Sequence, residues 1–233
     1  SLIKNKPKIQ KINLVLERLN INQFKKAIVS LKPSNFTSFI NKNVNDGKIN
    51  TELEIYLNEK NLLSNFIARG SVSKLNLTIK KGINFKNTNF NFFGDKNDIL
   101  IKEFNSETKN LKIIDGDIKL NLSEEISLIS NFKTNIKFQN ENSQLSKFLK
   151  DLEFSEYIKN FEAKVNNTFK ITFDKTYQIK NFDYKVNGKL LKANFEFKKN
   201  LENFLLNDKI NELSLLDSDI KAKLTSNKKI LSL

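Results

Sequence analysis

The side chains that most often carry out catalysis or bind transition metals are absent from this chain, which has no histidine and no cysteine. Carboxylates occur, for example at Glu124 and Glu125 and at Asp217 and Asp219, but they fall in turns or at polar positions among lysines. A catalytic acid or base needs a pocket that shifts its pKa, and nothing in these patterns predicts one. No loop has the Asp, Asn and Gly spacing of a calcium site, and no phosphate-binding glycine motif occurs. We therefore predict no enzyme, no cofactor and no metal site.

The chemistry that the chain does offer is apolar. In residues 75–80 and 118–122 every second side chain is apolar, which predicts strands with one apolar and one polar face. Phe90 and Phe92 follow the same alternation. Such a surface could hold acyl chains in a groove, and the same residues would equally form the closed core of a purely structural β-domain. The candidate lipid-binding residues share strand faces by parity: Leu75, Leu77, Ile79, Phe90, Phe92, Ile99, Ile101, Ile118, Leu120 and Leu122.

The formal net charge of +14 raises the alternative of a basic module that binds nucleic acid or another polyanion. Nearly all of this charge is lysine, and Arg18 and Arg69 are the only arginines. Specific nucleic-acid sites rely on arginine for bidentate and stacking contacts, so we expect no specific nucleic-acid partner. We interpret the lysines as a solvated outer face with a modest attraction to anionic lipid. The lysines expected to point away from the apolar surface include Lys74, Lys80, Lys119, Lys133 and Lys170.

The chain divides into a lead-in and a β-region. Residues 1–45 read as a mixed, partly helical segment, and within it residues 1–20 fit a strand and a helix equally well. We predict that Asn22 caps a first helix that ends before Pro33, and that Ser34 caps a second one. Residues 46–233 read as strands separated by glycine-containing turns.

Three similar dipeptides recur along the β-region at similar spacings: Asp46-Gly47, Asp115-Gly116 and Asn187-Gly188. We predict a turn at each, and hairpins at the second and third. One interval, residues 143–161, has apolar residues three and four apart and predicts a helix. The expected fold is mainly β with a few helices: a strongly twisted, largely antiparallel sheet that forms a curved apolar groove.

Two further features bear on location. No segment approaches the roughly 18 to 20 apolar residues of a membrane-spanning helix. The chain also has no methionine, so we expect a piece of a longer protein, with any anchor or export signal upstream of Ser1.

The sequence pattern of the β-region resembles that of the AsmA-like superfamily of bacterial envelope proteins, closest to its YhdP and TamB branches. The resemblance is carried by residues 70–82, 89–92, 98–101 and 114–118, and by the order of a helix followed by strands after residue 145. It implies a periplasmic β-groove anchored to the inner membrane, with phospholipid and the inner and outer membranes as its partners. It also implies a role in phospholipid transport toward the outer membrane, and it supplies no catalytic residues.

Overall fold

The computed structural model describes residues 9–29, 35–79, 83–123, 125–139, 157–174, 178–203, 208–226 and 229–232. Within them the chain forms one antiparallel sheet of eleven strands, in which each strand pairs with the next along the chain. The prediction of a mainly β fold with a few helices and a largely antiparallel sheet is confirmed. The elements in chain order are β1 (Lys11–Asn20), α1 (Ile21–Val29), α2 (Asn35–Asn43), β2 (Val44–Leu57), β3 (Leu63–Ile79), β4 (Ile83–Asp95), β5 (Asp98–Glu107), β6 (Leu111–Asn121), β7 (Ile126–Gln139), β8 (Ile158–Phe173), β9 (Ile179–Asn203), β10 (Asp208–Thr225) and β11 (Lys229–Ser232).

The two faces of the sheet differ in polarity. Residues directly opposite one another in an antiparallel pair share a face, so the register traces each face across the strands. From β5 to β9 one such row is apolar throughout: Ile99, Leu120, Leu128, Ile171 and Phe182. The neighbouring row on the other face is largely polar: Leu100, Lys119, Ile129, Lys170 and Asp183. We call these surfaces the apolar face and the polar face.

Bulges occur in five of the first six strands. Residues other than glycine adopt a left-handed backbone with φ between 50° and 55° in β1, β3, β4, β5 and β6: Arg18, Lys74, Asn87, Glu103 and Asp115. The register shifts next to each of them. A bulge inserts one residue and increases the local bend and twist of its strand.

Asparagine side chains stabilise several of these bulges from the neighbouring strand. The amide of Arg18 donates to Oδ1 of Asn50 at 2.6 Å, and the amide of Lys74 donates to Oδ1 of Asn89 at 3.0 Å. These bonds satisfy backbone donors that the interrupted ladder leaves without a partner. The many asparagines of this chain therefore have a structural use within the strands.

The three glycine dipeptides lie inside strands, so the hairpins predicted at Asp115-Gly116 and Asn187-Gly188 and the turn predicted at Asp46-Gly47 are wrong. Asp115 is itself a bulge residue in the middle of β6. Gly188 has a φ of 158°, and a Cβ there would lie 2.2 Å from the carbonyl oxygen of Lys164 on β8. Glycine is needed at this position because two strands approach closely, and this requirement selects the same residue type as a tight turn.

The predicted helix over residues 143–161 falls mainly on residues 140–156, which lie outside the described part of the chain. Its last four residues are strand, because β8 begins at Ile158. Ile158 and Phe161 are three residues apart and therefore fit a helical stripe. From Phe161 onward, however, every second side chain is apolar as far as Val165, and pairing with β7 and β9 follows this two-residue period.

The lead-in contributes both a strand and two helices to the same structure. Within the region left open between strand and helix, Lys11–Asn20 form β1, which pairs with β2. Asn20, rather than the predicted Asn22, caps α1. Its Oδ1 accepts the amide of Asn22 at 2.8 Å, and Oε1 of Gln23 accepts the amide of Asn20 at 3.1 Å, which is a capping box. Ser34, the predicted second cap, lies outside the described residues.

Candidate functional site

The predicted lipid-binding residues lie on the apolar face, as their parity requires. Phe92 of β4 is opposite Ile101 of β5, which is opposite Ile118 of β6. In the adjacent row, Ile99 is opposite Leu120. The bulge at Lys74 inserts one extra residue between Val72 and Leu75, so both of these side chains lie on the apolar face. Val72 is opposite Phe90, and Leu75 is opposite Thr88. Leu122 alone lies just beyond the end of its strand.

Four of these ten residues belong to a packed corner under the helices. Leu75 is 7% exposed, and Leu77, Phe90 and Phe92 pack against the same cluster. Phe24 of α1 and Ile40 of α2 cover this corner. Its buried members are Ile21, Val44, Ile49, Val72 and Leu75.

Ile79 is the last residue of β3 and is opposite Ile83 of β4. The four predicted residues on β5 and β6 form a different surface. Ile99 and Ile101 of β5 and Ile118 and Leu120 of β6 are half-buried side chains in two adjacent rows. The most extensive contacts that α1 and α2 make with the sheet are with β1, β2 and β3. We call these four residues the β5–β6 patch. The prediction treated all ten residues as equivalent, whereas the structure separates a helix-covered corner from the β5–β6 patch.

Polar side chains that the sequence reading missed interrupt the apolar face. The hydroxyls of Thr88 and Ser106 are buried and lie 2.6 Å apart. The second group is centred on Asn167, which is 3% exposed. Its Nδ2 donates to Oγ1 of Thr134 at 3.0 Å, and its Oδ1 accepts the hydroxyl of Tyr184 at 2.7 Å.

These polar groups satisfy one another, as buried polar groups must. Burial raises the pKa of the Tyr184 phenol above its ordinary value. A sequence signal for this network exists, because Asn167 occupies a position whose neighbours two residues away, Val165 and Phe169, are apolar. The partners of Asn167 depend on the register of three strands, and alternation alone does not give that register.

The polar face carries the charged residues. On the first half of the sheet, opposite charges face each other: Arg69 donates to Glu52 through Nε at 2.7 Å and Nη2 at 2.6 Å. Lys102 donates to Asp117 at 2.7 Å. The Tyr56 hydroxyl and then Lys11 hold the pKa of the Glu54 carboxyl below its usual range.

On β8, β9 and β10 two pairs of lysines face each other, beside opposite-charge pairs such as Lys170 with Asp183. Lys164 is directly opposite Lys189, and Lys185 is directly opposite Lys223. Of these, Lys189 donates to Asp219 at 2.8 Å, which lowers the pKa of that carboxyl. Lys119, Lys133 and Lys170 lie on the polar face as predicted, Lys74 is an exposed bulge residue, and Lys80 lies outside the described residues.

The described residues contain no cluster of three acidic side chains able to hold a metal ion. None of the helices within them is long and apolar enough to cross a membrane.

No protein-family model, no curated protein and no solved structure matches this chain.

Proposed function

We propose that the apolar face of the sheet is the wall of a groove that holds the acyl chains of phospholipid. In this proposal the chain is the periplasmic portion of a protein anchored to the bacterial inner membrane that conducts phospholipid toward the outer membrane. The observation that carries it is the β5–β6 patch, where Ile99, Ile101, Ile118 and Leu120 lie half-buried on one face while lysines and carboxylates occupy the other. The resemblance to AsmA-like envelope proteins supports the same function.

The energetics of lipid extraction explain what such a face would contribute. Each methylene exposed to water costs about 0.8 kcal/mol, so an acyl chain of about 16 carbons faces a cost on the order of 10 kcal/mol. A continuous apolar surface removes most of this cost by replacing water around the chain. It does so equally in both directions, and the direction of transport therefore requires another component.

The main alternative is a structural β-domain whose apolar face is closed core. The two functions differ in what a charge does at the β5–β6 patch. In a lipid groove, a carboxylate at Leu120 is solvated when lipid is absent, so the domain folds and loses its lipid. In a closed core, the same carboxylate is buried without a partner, which costs several kcal/mol and unfolds the domain.

The test compares Leu120→Asp with a matched control. Leu100→Asp places the same change on the polar face of β5, directly opposite Lys119, where the new carboxylate gains a cationic partner. Circular dichroism reports folding, and native mass spectrometry reports co-purified phospholipid. We expect both variants to fold, Leu120→Asp to lose phospholipid and Leu100→Asp to retain it. An unfolded Leu120→Asp variant, together with a wild-type protein that never carries phospholipid, would contradict the proposal and leave the structural domain.

A further inference from the structure

Lysines are concentrated on the polar face of β8, β9 and β10. Seven exposed lysines form one cluster there, and four carboxylates, Glu162, Asp183, Asp217 and Asp219, lie among them. We call this surface the cationic patch, and its lysines are Lys164, Lys170, Lys185, Lys189, Lys192, Lys221 and Lys223. Lys159 is outside this cluster and pairs with Glu196 at 3.4 Å.

The patch mixes opposite-charge and like-charge pairs: Lys170 faces Asp183, Lys192 faces Glu162 and Lys189 faces Asp219. Lys185 also pairs with Asp183 of its own strand at 3.6 Å.

The like-charge pairs work against the stability of the sheet. Like charges directly opposite one another on neighbouring strands are destabilising, and the patch contains two such pairs, Lys164 with Lys189 and Lys185 with Lys223. Within the described part of the chain, Lys164 and Lys223 have no carboxylate within ion-pair distance. In the first half of the same sheet, Arg69 is directly opposite Glu52 and pairs with it. The fold itself therefore does not require lysine to face lysine.

Exposed apolar side chains lie beside the patch. Leu216 is 68% exposed and is directly opposite Lys192. Ile129 is 39% exposed and is directly opposite Lys170. A surface that combines lysines with protruding aliphatic side chains matches the interface of a bilayer, where the ammonium groups meet anionic headgroups and the aliphatic groups enter the boundary region.

We propose that the cationic patch docks this protein onto the surface of an anionic lipid bilayer. Phosphate groups neutralise both members of the pairs Lys164 with Lys189 and Lys185 with Lys223. Relief of the repulsion within each pair therefore contributes to binding. Nucleic acid fits this surface less well. The only arginines, Arg18 and Arg69, lie on the other half of the sheet, and the described residues of the patch include no aromatic side chain on which a base could stack. The proposal concerns the polar face and does not depend on lipid binding by the apolar face.

The test measures co-sedimentation with vesicles. One set contains phosphatidylcholine alone, and the other contains phosphatidylcholine and phosphatidylglycerol at three to one. The test variant is Lys164→Gln/Lys223→Gln, and the control is Lys102→Gln/Lys119→Gln, which changes the net charge equally on β5 and β6. Each lysine near an anionic surface contributes about fivefold to the partition coefficient, so the test variant should bind anionic vesicles about 25-fold more weakly than the wild type.

We expect the wild-type protein to bind anionic vesicles and not neutral ones, with binding that weakens as salt rises. The control variant should bind nearly as well as the wild type. Thermal unfolding of the test variant should be unchanged or shifted upward, since the substitutions relieve repulsion. Three results would overturn the proposal: absence of binding to anionic vesicles, equal losses in the test and control variants, or preference for a DNA duplex over vesicles at equal phosphate concentration.

Discussion

The two halves of the sheet use the same alternating sequence pattern in different ways. In β1 to β6, bulges shift the register, two helices cover one corner of the apolar face, and opposite charges face each other on the polar face. In contrast, β7 and β8 pair without a register shift from Ile126 opposite Phe173 to Gln139 opposite Asn160, and register shifts recur only between β8, β9 and β10. On β8, β9 and β10 lysine faces lysine at two positions, beside opposite-charge pairs. The comparison shows that strand alternation fixes which face is apolar but leaves the bend of the strands and the charge of the outer face free to vary.

The largest expected effect concerns the closest approach of two strands in the second half. Gly188→Ala would place a Cβ 2.2 Å from the carbonyl oxygen of Lys164, at a φ of 158° that alanine rarely adopts. We expect a loss of about 3 kcal/mol or more in the free energy of unfolding, measured by urea denaturation. The matched substitution in the first half is Gly94→Ala, where the nearest atoms lie at an ordinary 3.4 Å. Its expected cost is under about 1 kcal/mol. Equal losses of unfolding free energy in the two variants would contradict a closer strand-to-strand contact at Gly188 than at Gly94.

The second prediction compares the polar groups on the apolar faces of the two halves. Asn167→Leu leaves the hydroxyls of Thr134 and Tyr184 without their amide partner, and we expect a cost of about 2 to 3 kcal/mol. Thr88→Val breaks only one hydrogen bond, to Ser106, whose hydroxyl can rotate, and should cost about 1 kcal/mol. Chemical denaturation of both variants measures the difference. A smaller loss for Asn167→Leu than for Thr88→Val would contradict the central place of Asn167 in this network.

How much of this could be predicted from the sequence depends on the feature. Alternation at a two-residue period predicted the strands and the common face of Ile99, Ile101, Ile118 and Leu120, because the side chains of a strand alternate whatever its partners are. It failed at Asp115-Gly116, since a bulge and a hairpin select the same residues. It also failed at Ile158, where three-residue spacing fits a helix as well as the end of a strand.

Features that depend on contacts between distant strands do not follow from the alternation of side chains. The Asn167 network joins β7, β8 and β9. The lysine pairs depend on registers such as Lys164 with Lys189 and Lys185 with Lys223. A shift of one residue in either register would place these side chains beside other partners. The parity of the site was therefore predictable, while its division into a covered corner and the β5–β6 patch was not.

The third prediction uses pH to probe the second half alone. Burial raises the pKa of Tyr184, so in the folded protein this phenol stays neutral at a pH where the same phenol ionises in the unfolded chain. Above the ordinary tyrosine pKa of about 10, the unfolded state binds fewer protons than the folded state, and stability falls as pH rises. We expect Tyr184→Phe to reduce this alkaline loss, measured as the change in melting temperature between pH 8 and pH 11. An identical alkaline loss in the variant would contradict the role of Tyr184.

The smallest expected effect tests the charge contrast directly. Lys164→Glu converts a like-charge pair with Lys189 into an opposite-charge pair and should stabilise the fold by about 0.2 to 1 kcal/mol. In the first half, Lys102→Glu does the reverse by facing Asp117 with a second carboxylate, and should destabilise the fold by a similar amount. Both shifts should shrink in high salt. Shifts of the same sign in the two variants would show that local pairing does not control these differences.

The most direct test of the central claim is photo-crosslinking at adjacent positions of one strand. A benzophenone amino acid replaces Leu120, which lies on the apolar face, and in a second protein it replaces Lys119, which lies on the polar face. After irradiation of cells that make each protein, mass spectrometry detects covalent phospholipid adducts. The proposed function predicts adducts at position 120 and few or none at position 119. Adducts at neither position, or equally at both, would contradict a phospholipid groove on the apolar face.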